Sequence, residues 1–189
     1  MYKKQMLVEK IVCFAVLAAA VLVFIYSLGL VTDLHYNNFA YYAEKVGKPK
    51  FAGADIYNEI QPFNKSLTKA GIVLILSALS LFVFGTHKRR KYYIGNYIAI
   101  GLNSALTIGV SVWGILNVIK YKAMYYQIDF DELKRWQELL RKTYDISPFW
   151  FNAGFFVFGI AILVSVLSVL NLVFKVLVMR SERKLLEEV

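Results

Sequence analysis

The sequence predicts an all-α integral membrane protein with four transmembrane helices arranged as two hairpins, and two observations carry that expectation. Hydrophobic residues make up 58% of the 189 residues, with a mean hydropathy of +0.51. They also come in blocks: Ile11–Thr32, Ala70–His87, Tyr92–Ile119 and Ile146–Phe174 contain no Asp, Glu, Lys or Arg. A helix advances about 1.5 Å per residue and the hydrocarbon core is about 30 Å thick, so roughly 20 apolar residues cross it. The polar remainder of so small a chain cannot cover four buried helices. The expected organisation is one membrane domain over residues 1–189, with spans near 11–31, 70–86, 93–119 and 148–174 and outer loops at 32–69 and 120–147.

The first block has an alternative as a signal peptide, because Lys3, Lys4 and Lys10 resemble a basic n-region. Its apolar run from Ile11 to Val31 exceeds the roughly 7–15 residues of a cleaved h-region, so it reads as a retained span.

Charge orients the chain. Met1–Lys10, His87–Tyr93 and Lys175–Val189 hold 11 Lys/Arg in 32 residues, whereas Thr32–Lys69 and Lys120–Pro148 hold 11 in 67, offset by nine carboxylates. By the positive-inside rule both termini are cytoplasmic, in the plasma membrane, and the two long loops face out. The turn Lys88, Arg89, Arg90, Lys91 is expected on anionic inner-leaflet phospholipid, which accounts for a net charge of +9 without nucleic acid. The single cysteine, Cys13, lies in the first span, so the outer loops hold no disulfide. The layout resembles claudins and tetraspanins in topology alone, since the Trp…Cys…Cys and Cys-Cys-Gly patterns of those families are missing.

The first outer loop carries Tyr36, Phe39, Tyr41, Tyr42, Phe51, Tyr57 and Phe63. Tyr36–Glu44 reads as a continuation of the first helix or an interfacial segment, and Asp55–Ile60 as one further helical turn. In the second loop an amphipathic helix is expected over Asp129–Tyr144. Asp129 and Glu132 form a capping-box-like pair, and Phe130, Leu133, Trp136, Leu140 and Tyr144 recur as one apolar stripe. Such a stripe has to be covered by lipid, by the first loop or by another protein. Ser147 and Pro148 supply an N-cap and a first-turn proline for the fourth span.

Within the spans the polar residues are patterned. Asn96, Asn103 and Asn117 recur in multiples of seven, with Ile100, Thr107 and Gly114 interleaved and Ser104 and Ser111 alongside. Gly71, Ala78 and Gly85 repeat in the second span, Ala161, Ser165 and Ser168 mark the fourth, and Ala15 and Ala19 the first. Small and hydrogen-bonding residues let helices approach and bond in lipid. The third span has more of them than a bundle this size needs, so part of its face is expected to meet a partner.

Catalytic chemistry is not legible. No charge falls inside the four blocks, which counts against a proton-coupled transporter. His35 and His87 are assigned to opposite membrane faces, and Asp129, Asp131 and Glu132 are accounted for by a helix start. Asn64-Lys65-Ser66 matches a glycosylation acceptor, a pattern common by chance. No metal, cofactor or catalytic residue is assigned. The expectation is a non-enzymatic accessory or scaffolding subunit of a membrane transport complex, ABC-type importer first, whose partners are permease-like integral membrane subunits. A self-assembling pore for uncharged solutes is the alternative, and a membrane enzyme acting on lipid comes third.

Overall fold

The computed structural model describes residues 2–35, 53, 55–86, 94–140 and 147–187. It is all-helical over these residues: α1 (Tyr2–His35), α2 (Ile56–Thr86), α3 (Ile94–Tyr125), α4 (Phe130–Leu140) and α5 (Phe149–Glu187). Helices α1, α2, α3 and α5 are each long and apolar enough to cross a membrane. At about 1.5 Å per residue they run roughly 46 to 58 Å, so each outruns the hydrocarbon core.

The helices are longer than the apolar blocks. α2 already starts at Ile56 and runs through Pro62, so the expected turn at Asp55–Ile60 is the first turn of the second long helix. α4 is described over Phe130–Leu140, with Asp129 as its cap, and the expected remainder to Tyr144 falls beyond the described residues. Tyr36–Glu44, Tyr144 and the basic turn Lys88–Lys91 lie outside the described residues.

Buried positions repeat in sevens. Glu9, Val16 and Val23 alternate with Cys13, Ala20 and Ser27 on α1; Ile60, Leu67, Leu74 and Leu81 alternate with Asn64, Gly71, Ala78 and Gly85 on α2. A sustained seven-residue repeat keeps one seam facing its neighbours and sets shallow antiparallel crossings. α1 packs on α2 and α5, and α3 packs on α5 and α2, closing a ring in the order α1, α2, α3, α5. Gly71 meets Phe24 while Gly85 meets Glu9 and Cys13, so α1 and α2 are antiparallel. Asn103 on α3 donates to Ser77 Oγ on α2 at 2.8 Å, and Gly114 packs on Phe158 of α5. The outward faces carry exposed Leu, Ile, Val and Phe, the surface a bilayer would solvate.

At the far end of the ring, where α3 ends, the chain between long helices folds back on itself. Asp129 Oδ1 accepts from the backbone N–H of Asp131 at 3.1 Å and of Glu132 at 3.0 Å, capping α4. Leu133 of α4 is fully buried, and Phe130 meets the Tyr125 ring edge-on at 5.4 Å. Gly53 sits at φ 81° with its α-carbon region pressed on the Gln127–Ile128 backbone. Ser147 Oγ accepts from Phe149 N–H at 3.1 Å to start α5.

Candidate functional site

The most distinctive chemistry lies at the opposite end, where α1 begins and α5 ends. Glu9 is 1% exposed and Lys175 is 0% exposed. Their ion pair measures 3.0 Å from Lys175 Nζ to Glu9 Oε1. The second carboxylate oxygen accepts from Asn171 Nδ2 at 2.8 Å and from Gln5 Nε2 at 2.9 Å. One carboxylate therefore receives three donors from two helices, the condition under which a buried ion pair holds together.

The other two long helices close around it. Gly85 of α2 has no side chain where one would meet Glu9 Oε1 at 3.1 Å and Cys13 Sγ at 3.4 Å, so the glycine is what admits the carboxylate. Asn96 of α3 is buried 3.8 Å from the same point. The Lys175 ammonium lies 5.7 Å from the centroid of the Tyr97 ring, within reach of a cation–π attraction. Gln5 Oε1 and Asn171 Oδ1 are buried without a hydrogen-bond partner among the described residues.

This cluster lies beyond the charge-free blocks but within the long helices that carry them. Glu9 and Lys175 fall inside the helix segments Lys4–Gly29 and Phe149–Ser181, which are apolar enough to cross a membrane. They escaped notice because each lies just beyond a charge-free block, where a charge reads as the border of the hydrocarbon. The signal that would have found them is the repeat: Glu9 precedes Val16 by seven, and Lys175 follows Ser168 by seven. With a buried carboxylate present in the bundle, the lack of one no longer argues against proton-coupled transport.

The expected third-span face is turned inward. Asn96, Ile100, Asn103, Ser104, Thr107, Ser111 and Gly114 are all buried within the ring. Thr107 Oγ1 bonds back to Asn103 O at 2.9 Å, and Asn117, half-buried, donates to Trp113 O of its own helix at 2.8 Å. Asn117 leaves the seam because an exact seven-residue repeat drifts about 20° per heptad on a straight helix. By that level Gly114 and Val118 have taken the buried positions.

Of the α4 stripe, Phe130 and Leu133 pack inside the protein, while the side chains of Trp136 and Leu140 lie outside the described ones. Asn64 is 1% exposed within α2, which removes the glycosylation reading. Comparison with known proteins finds no matching family model, no matching curated protein and no matching solved structure.

Proposed function

We propose that this chain is a non-enzymatic accessory or scaffolding subunit of a larger membrane transport assembly, with an ABC-type importer the first case to test. In this reading it crosses the plasma membrane four times with both termini cytoplasmic, as two hairpins whose longer connections face out. The observation that carries it is the filled centre of the ring. Phe158 lies against the bare backbone of Gly114, Tyr26 lies against Gly154, and the Tyr26 and Phe158 rings meet edge-on at 5.5 Å. Aromatic rings seated on glycines leave no lumen at that level. Of the residues that would line the alternative self-assembling pore, Asn96, Asn103, Thr107 and Asn117, Asn103 donates to Ser77 while Thr107 and Asn117 bond back to their own helix. A bundle with a filled centre suits a rigid body that positions other subunits.

Extraction in a mild detergent followed by mass measurement of the intact complex tests the proposal. A hetero-complex with a permease-like membrane subunit at fixed stoichiometry is expected. A symmetric homo-oligomer of this chain alone would overturn it in favour of a pore built between copies.

A further inference from the structure

Beside the buried pair, α3 and α5 leave a recess of about 180 Å³ lined by Tyr97, Val176, Met179 and Arg180. Its walls differ in chemistry. Val176 and Met179 are apolar, Tyr97 is half-buried with the Lys175 ammonium near its ring, and Arg180 is exposed. The charge of Lys175 is already matched by Glu9 at 3.0 Å, whereas Arg180 has no ion-pair partner among the described residues. The recess also lies by the edge of the charge-free blocks, where the expected spans end. The charge-free block of α5 stops at Phe174, and that of α3 starts at Tyr92.

We propose that this recess binds the headgroup of an anionic glycerophospholipid, with the phosphate on the Arg180 guanidinium and the glycerol and upper acyl chain against Val176 and Met179. A guanidinium matches phosphate oxygens through paired N–H donors, and basic recesses between transmembrane helices suit anionic headgroups. A free phosphate would leave the apolar wall unused, and a zwitterionic lipid would bring its own cation to the arginine. The proposal assigns no role to Lys88–Lys91, and it holds whether or not the chain serves a transport assembly.

The test uses the full chain purified in detergent, mixed with dioleoylphosphatidylglycerol or dioleoylphosphatidylcholine, and native mass spectrometry to count bound lipid. Phosphatidylglycerol should be retained in preference to phosphatidylcholine. Arg180→Gln should weaken its retention about tenfold or more, the loss expected for a charge-assisted hydrogen bond. Met179→Trp, which fills the recess without changing charge, should weaken it too. A variant with Lys88, Arg89, Arg90 and Lys91 all changed to Gln should keep it. Millimolar inorganic phosphate should not displace the lipid. Equal retention of both lipids, indifference to both recess variants, or loss in the Lys88–Lys91 variant would overturn the proposal, and displacement by phosphate would reassign the site to the free anion.

Discussion

Moving a carboxylate and an ammonium out of water costs several kcal/mol for each ion, and their attraction offsets this only when geometry and further hydrogen bonds are good. Glu9 and Lys175 have both, with Gln5 and Asn171 completing the carboxylate's shell. Breaking such a pair from one side strands a charge. Glu9→Leu or Lys175→Met alone should therefore cost about 3–5 kcal/mol, read as a lower melting temperature of the detergent-solubilised protein. The double variant should recover most of the loss, because two apolar side chains leave nothing uncompensated. A double variant as unstable as the worse single one would show that the pair contributes more than mutual neutralisation. Gly53 is constrained differently: a β-carbon there would lie 2.7 Å from the Ile128 α-carbon, at a φ of 81°. The left-handed backbone alone costs a non-glycine residue roughly 1–2 kcal/mol. Gly53→Ala should lower the melting temperature by at least that equivalent, while Gly101→Ala, at an open position, should not.

At the scale of elements, α4 separates covering by the chain itself from covering by a partner. Its sequence announces an amphipathic helix, and the Asp129 cap is where the spacing puts it. What covers the stripe was not legible, since spacing gives a face and never its neighbour. Leu133, fully buried, and Phe130, against Tyr125, assign the first half of the stripe to the protein interior. Leu133→Ala should then destabilise the isolated protein by about 2–5 kcal/mol, the range for a buried leucine truncated to alanine. Trp136→Ala asks about the second half. Loss of a co-purifying partner at unchanged melting temperature would make it a docking residue, and an unchanged yield with a lower melting point would remove α4 from the candidate contacts. α3 teaches the same limit. Its polar face was readable, and within the chain that face meets α2 and α5. Periodicity shows that a face is buried, and only the packed ring shows against what.

For the whole molecule, the four long helices were legible because hydrocarbon thickness fixes a minimum apolar length that few soluble segments reach. Their ends were not legible, since α1 and α5 carry buried charges past their apolar blocks and α2 starts well before its own. The antiparallel ring places the start of α1, the end of α2, the start of α3 and the end of α5 at one end, with α4 and Gly53 at the other. That arrangement makes orientation a single binary choice for the entire protein, and the proposed choice, with both termini cytoplasmic, follows the basic density. In a Cys13→Ser background, single cysteines at Lys48 and Glu138 should react with an impermeant maleimide in intact cells, and one at Arg90 should react only after permeabilisation. Because Glu138 is exposed on α4, failure to label there would reflect sidedness and not burial. Labelling at Arg90 with protection at Lys48 and Glu138 would invert the whole ring, and with it the leaflet that meets the Arg180 recess.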